Sequence, residues 1–398
     1  YKIDFGKKQF VSNGILIADS NPIGALVYVN GKLKTATNNT VSLPPTEYEV
    51  EIKKESFLPW KKNLLVEKEL VVFAEAFLFP QVPDIKPITF TGVVNPKVSP
   101  DNTRIVYLIP APDTNAGLWV MDISDTFSFF GKPSKLIAKF SLNFDLQKAT
   151  YDWSPDSRQI ILEFSPTVKY LLDPNTPNDL SQLKNEALQF DKIVAGWQEE
   201  ENIKLAAKMK RVPEQMQTIL KNSAGQVIFS PDSTKIMYSA TGSAEIPEKL
   251  IPPITSASTQ KEIRTINPNK IYIYDIKEDR NFEISNFPSF ASPIRRATAG
   301  KQIPTPSPYQ LSTLNFELLT PQWFPTSRHL IWTTDDNKIV TCEYDNTNLT
   351  TIYSGSFIKP YVFVTPNTNR LIVLADIDFA IEKPTATPTP IKKVKNTP

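Results

Sequence analysis

The chain has one cysteine, Cys342, and one histidine, His329, in 398 residues. A single thiol excludes an internal disulfide, and the pair together cannot supply the Cys/His cluster of a zinc centre. Glycine is scarce at 12 residues. No glycine-rich phosphate cradle and no Gly-x-Ser-x-Gly nucleophile elbow can be found. No apolar run approaches the roughly 18 residues that a membrane-spanning helix needs. A net charge of +2 is too small to point to nucleic acid. The chain starts at Tyr1 without the basic and apolar regions of a signal peptide. It therefore reads as a processed piece whose missing N-terminal part carries a tether. Proline, by contrast, is abundant at 35, and 40% of the residues are apolar.

Much of that proline marks a repeat. Asp152-Trp153-Ser154-Pro155-Asp156-Ser157-Arg158-Gln159-Ile160-Ile161 aligns without a gap with four further segments. They centre on Ser99-Pro100-Asp101, Ser230-Pro231-Asp232, Phe324-Pro325-Thr326 and Thr365-Pro366-Asn367. Each reads as a strand end, a polar turn and a new apolar strand. The repeat prolines are 55, 76, 94 and 41 residues apart. The shortest spacing fits the period of about 40–45 residues for a four-stranded propeller blade. Second strands follow the first four turns, as in Leu118-Trp119-Val120-Met121-Asp122-Ile123 and Ile271-Tyr272-Ile273-Tyr274-Asp275-Ile276. The pattern resembles TolB-like, WD-repeat-like β-propellers over about residues 88–382, which implies five to six blades.

Residues 12–80 have a different character. Ile15-Leu16-Ile17 and Ala25-Leu26-Val27-Tyr28-Val29 read as strands, and Asn30-Gly31 as a tight hairpin turn. Tyr48-Glu49-Val50-Glu51-Ile52 alternates charged and apolar residues, so one face is buried. Pro22-Ile23-Gly24-Ala25, Leu43-Pro44-Pro45 and Phe57-Leu58-Pro59 complete a pattern that resembles the PEGA domain family. Thr46 departs from it where the family favours glycine. The resemblance implies a small β-sandwich without catalytic residues, of a kind found in extracytoplasmic and surface proteins.

The expected organisation is all-β. It comprises a lead-in at 1–11, the sandwich at 12–80, a stiff proline linker at 81–87, the propeller at 88–382 and a disordered tail at 383–398. Residues 88–94 are expected to supply an outer strand that closes the ring. A short helical insertion is expected at about 198–222, broken at Pro213, with acidic residues at its start and lysines further in. Long Pro/Ser/Thr-rich loops are expected at 241–269 and 291–310.

Little in this pattern points to chemistry. Ser99, Ser154 and Ser230, with Asp101, Asp156 and Asp232, invite reading as nucleophiles or metal ligands. The repeat argues for turns instead, because Pro100, Pro155 and Pro231 preset the backbone and the carboxylates bond it locally. The weaker copies carry Thr326 and Asn367 in the Asp position, which a turn tolerates and a metal ring does not. Asp122/Asp125, Asp275/Asp279 and Asp335/Asp336 lack calcium-loop spacing. His329 aligns with Arg104, Gln159, Lys235 and Arg370, an ordinary polar position. If Leu330 pairs with Cys342, the histidine and the thiol face opposite ways. Trp119, Trp153, Trp323 and Trp332 recur at repeat positions and read as core. Trp60, beside Pro59, reads first as a packing residue and is also the one candidate ligand contact, by stacking on a sugar.

These observations lead to a non-enzymatic scaffold of the bacterial cell envelope, without cofactor or metal. It would hold a protein or a wall polymer through the propeller face and loops, and be anchored by a segment before Tyr1. The alternatives are a carbohydrate- or peptidoglycan-binding surface module using Trp60, and an enzyme of unrecognised type with carboxylates in the propeller channel.

Overall fold

A computed structural model describes residues 2–4, 9–85, 87–89, 92–124, 134–254, 258–285, 321–367 and 370–375. Strands dominate. The expected loop at 291–310, the expected tail at 383–398, Asp125 and part of the expected closing strand at 88–94 lie outside the described residues. The lead-in holds a short antiparallel pair, β1 (Lys2–Asp4) with β2 (Gln9–Val11).

The first domain contains β3 (Gly14–Asn21), β4 (Leu26–Val29), β5 (Lys32–Ala36), β6 (Asn39–Leu43), β7 (Thr46–Lys53), β8 (Trp60–Val66) and β9 (Val71–Phe77). They form two sheets, ordered β6-β3-β9 and β5-β4-β7-β8. Asn30 and Gly31 both adopt positive φ, as the hairpin turn between β4 and β5 requires. The first and last strands, β3 and β9, pair in parallel, with Ile15 opposite Val71 and Asn21 opposite Phe77. Alternate residues such as Leu16, Val27, Val50, Ile52 and Leu64 fill the space between the sheets.

The second domain is a succession of small antiparallel sheets. The first is β10 (Val94–Val98), β11 (Arg104–Ile109), β12 (Gly117–Asp122) and β13 (Ser134–Lys139). The second is β14 (Thr150–Trp153), β15 (Ile160–Ser165) and β16 (Val168–Leu172). Two helices follow, α1 (Phe190–Met209) and α2 (Glu214–Ser223). The third sheet is β17 (Ala224–Phe229), β18 (Lys235–Ala240), β21 (Ile271–Asp275) and β22 (Arg280–Glu283), with a side hairpin of β19 (Ala244–Glu245) and β20 (Thr265–Ile266). The fourth is β23 (Gln322–Trp323), β24 (His329–Thr333), β25 (Lys338–Glu343) and β26 (Thr350–Ser354). The fifth shows β27 (Val362–Val364) and β28 (Leu371–Val373).

The period-2 alternation of these strands makes the sheets a ring. On β11, Val106 and Leu108 face one way and pack with Ile160 and Leu162 of the second sheet. Ile105, Tyr107 and Ile109 face the other way and pack with Phe363 of the fifth. On β24, Leu330 and Trp332 meet Met237 and Ile273 of the third sheet, while Ile331 meets Val362 and Val364 of the fifth. Sheets that pack face to face in sequence, with the helices between the second and third and the fifth returning to the first, are the blades of a propeller. The expected closing strand at 88–94 is described only in part, and its Val93 packs where the fifth blade meets the first. The first-blade strand β10 starts at Val94 and pairs with β11, and closure comes from the fifth blade packing on the first.

The helices occupy the junction between blades two and three. Lys169 of β16 sits 4.4 Å from the Phe190 ring centre at the start of α1. Leu205, Met209, Met216 and Leu220 pack with Ile236, Tyr238 and Tyr272 of the third blade. Pro213 breaks the insertion as expected and is the N-cap of α2. However, α1 begins at Phe190 rather than near 198, with Asp191 as the acid of its first turn.

Candidate functional site

The Ser-Pro-Asp turns share one bonding scheme. Ser99 Oγ donates to Asp101 and accepts the Arg104 N–H at 3.0 Å. Ser154 with Asp156 and Gln159, and Ser230 with Asp232 and Lys235, repeat it. Pro100, Pro155 and Pro231 lie between the bonded partners in each turn. The fourth turn residue, Asn102, Ser157 or Ser233, has positive φ. The turns also stitch blades together. The Asp101 N–H donates to Ser157 Oγ of the next blade at 3.1 Å, and Trp153 Nε1 donates back to the Lys97 carbonyl at 2.9 Å. Asp232 with Ser327, and Trp323 with the Ile228 carbonyl, do the same between blades three and four. The hydroxyls and carboxylates are thus bonded to their own backbone.

Blade five keeps the scheme with conservative replacements: Thr365 bonds Asn367, and its backbone bonds Arg370. Blade four abandons it. Phe324 replaces the serine, Thr326 the aspartate, and His329 takes the position held by Arg104, Gln159, Lys235 and Arg370. Across the strands, Arg104 opposes Asp122 and Lys235 opposes Asp275, but His329 opposes Glu343. Asp122 and Asp275 cap their own turns through the N–H groups of Ser124 and Lys277. In blade four Asp345 takes over that role, bonding Thr347, and Glu343 is released to point elsewhere.

Where Glu343 points is the first domain. It is fully buried and accepts bonds from Trp60 Nε1, from Lys62 Nζ at 2.7 Å and from Asn348 Nδ2 at 2.9 Å. Lys62 also bonds Asp345 at 2.6 Å. Arg328 pairs with Glu75 of β9 and lies 3.9 Å from Glu343. Beside these ions, Phe77 and Phe79 pack edge-on against Phe324, and both rings approach His329. The edge strand β8 is covered at alternate residues. Asn348 accepts the Lys61 N–H at 2.9 Å, Gln260 donates to the Asn63 carbonyl at 2.7 Å, and Thr259 accepts the Leu65 N–H at 3.3 Å. Side chains of the propeller thus stand in for a missing neighbour strand. The proline segment at 81–87 does not hold the domains apart.

The electrostatics suit an anchor. Burial alone would raise Glu343, but Lys62, His329 and Arg328 outweigh it and hold the carboxyl below its usual range. Burial works against the Lys62 charge, and Glu343 and Asp345 reverse that. His329 is pulled down to about 4, chiefly by burial, and stays neutral at pH 7; Thr326 Oγ1 lies 3.1 Å from its Nδ1. Leu330 does pair with Cys342, so His329 and the thiol lie on opposite faces of the sheet. Burial pushes the Cys342 thiol up, away from reactivity.

Trp60 requires a correction as a ligand contact. It is 3% exposed, and its indole N–H is bonded to Glu343, so no sugar can stack on it. Lys62, Glu75, Arg328, Glu343 and Asp345 did not stand out in the sequence. One signal was present: Lys62 falls in phase with the buried Trp60, Leu64 and Val66 of β8. No group of three or more His, Cys, Asp or Glu side chains that could hold a metal is found among the described residues.

Residues 13–76 match the family model of the PEGA domain. No curated protein matches the sequence. Among solved structures, the chain is similar to a TolB protein from Agrobacterium tumefaciens, described there as putative. Identity is 9%, over 92% of this chain and 99% of that one, with a TM-score of 0.20. It is also similar to the C-terminal WD40 domain of Sif2, at 8% identity over 93% and 95% with a TM-score of 0.25. The β-propeller domain of Cps50 (Swd1) from Myceliophteria thermophila is 11% identical over 73% and 96%, with a TM-score of 0.24. The chain is a PEGA domain seated on a β-propeller, and the propeller is established by the ring of sheets in this structure.

Proposed function

We propose that this chain is a non-enzymatic binding scaffold of the cell envelope, whose sandwich and propeller act as one body. The observation that carries the reading is the seam. Blade four gives up the repeat's own turn chemistry at Phe324, Thr326, His329 and Glu343, and uses Phe324, His329 and Glu343 to seat the PEGA domain, with Thr326 beside the His329 ring. A seam built in this way fixes the orientation of two surfaces, which is what a scaffold needs and a tethered pair lacks. The PEGA match supports an extracytoplasmic or surface setting. No helix among the described residues is long and apolar enough to cross a membrane. The partner is a second envelope protein or a wall polymer, held by the propeller face and its insertions. The carbohydrate alternative has lost its stacking residue, Trp60. The enzyme alternative gains little from Glu343 and Asp345, which converge but do so on the Lys62 ammonium.

Fractionation of cells that produce the full-length gene product tests the reading. The protein is expected in the envelope pool, cross-linkable there to a discrete protein or wall fragment. Recovery of all of it in the cytosolic pool would contradict it.

A further inference from the structure

The strand order β5-β4-β7-β8 places the propeller-bound strand β8 at one edge of its sheet and β5 at the opposite edge. The β5 side carries a surface that the seam does not use. Ile23, Leu26 and Leu33 are 66%, 43% and 56% exposed, and Leu33 lies opposite Tyr28 across the strands. Lys53 shares their face, Lys54 lies beside Ile23, and Lys32 and Lys34 line the rim. Lys32 and Lys34 are exposed on the edge strand β5. Lys53 lies opposite Leu26, with its ammonium 5.3 Å from the Tyr28 ring centre. Lys54 Nζ reaches the Ile23 carbonyl at 2.9 Å. The acids nearest in the chain are Glu51, ion-paired with Lys53 at 2.9 Å, and Glu55, which follows Lys54. The patch therefore has an excess of positive charge around exposed aliphatic side chains.

We propose that this β4–β5 face of the PEGA domain docks on an anionic lipid bilayer. Basic residues at the rim attract anionic headgroups, and aliphatic side chains between them enter the headgroup boundary. The aliphatics decide between two polyanionic surfaces. A wall polymer would use the lysines but offers no hydrocarbon to Ile23, Leu26 and Leu33. Lysines on an edge strand also discourage strand pairing with another protein. The geometry then has a consequence. The membrane-facing edge is the sheet's far side from the seam, so the propeller is held off the bilayer at a fixed angle. This builds on the envelope reading but names a contact that fractionation alone cannot show.

Co-sedimentation of the full chain with vesicles tests it. The chain is expected to bind phosphatidylglycerol vesicles and not phosphatidylcholine vesicles, with binding that falls as salt is added. Leu26→Ser/Leu33→Ser and Lys32→Glu/Lys34→Glu are each expected to weaken binding at least tenfold. All four positions are exposed, so the unfolding midpoint should not move, and that is measured alongside. No binding to either vesicle, or equal binding to both, overturns the proposal. So does unchanged vesicle binding by Leu26→Ser/Leu33→Ser. Binding to soluble polyphosphate that survives the leucine changes, without vesicle binding, would assign the patch to a polymer instead. Envelope fractionation without vesicle binding would leave the scaffold reading standing and remove only this one.

Discussion

Lys62, Glu343 and Asp345 are buried together, and their value lies in their mutual pairing. Removing one partner leaves charge in a low-dielectric interior with no water to answer it. Lys62→Met is therefore expected to destabilise the chain by roughly 3–5 kcal/mol, read from denaturant unfolding. Lys61→Met, next in the chain, removes only an exposed pair with Glu49 and should leave the midpoint unchanged within error. His329 adds a pH dependence. Its native value of about 4 lies below the unfolded value of roughly 6.5, so the unfolded chain binds more protons in acid. Stability is complete above about pH 6.5 and falls as pH drops towards 4, by about 3 kcal/mol in all. Glu343, depressed by its partners, loses its contribution in the same direction at lower pH still. Melting curves from pH 7.5 to pH 5 should show a steady decline, and His329→Gln should flatten it. A flat wild-type profile would remove the histidine from the account.

At the scale of elements, the turns and strands were legible because they obey short-range rules. Proline and aspartate act on their own backbone, and alternation reports which face is buried. The register that separates His329 from Cys342 stays open in the sequence, where a one-residue shift would reverse it, and the pairing of Leu330 with Cys342 decides it. The seam was not legible. Phe324, Thr326 and His329 look like decay of the repeat when each copy is compared only with its neighbours. Their use appears when Phe77 and Phe79, some 250 residues away in the chain, are brought against Phe324 and His329, and Trp60 and Lys62 against Glu343. Trp60 is legible as a packing residue, but its partner is not, for the same reason: Glu343 lies far away in the chain. The start of α1 was missed because Glu199-Glu200-Glu201 is a stronger dipole signal than Asp191 alone. The inter-blade stitch gives an element-scale test. Trp153→Phe keeps an aromatic ring but loses the bond to the Lys97 carbonyl and part of the buried indole volume, and should cost roughly 2–3 kcal/mol in urea unfolding.

At the scale of the whole molecule, the account turns on rigidity. A sandwich joined to the propeller only through residues 81–87 would sample many orientations. A sandwich locked by ions, aromatic rings and a capped strand edge samples one. Disruption of the seam at Lys62, which is not part of the apolar sandwich core, should therefore change the relation of the domains before it changes either core. The direct measurement is a distance distribution between spin labels on Lys68→Cys, in the β8–β9 turn, and Lys148→Cys, in the turn before β14. Both lysines are exposed, and the native Cys342 is buried away from the reagent. The account gives one narrow distance at pH 7.5, which broadens in Lys62→Met under conditions where both domains remain folded. A broad distribution in the wild-type chain would contradict it.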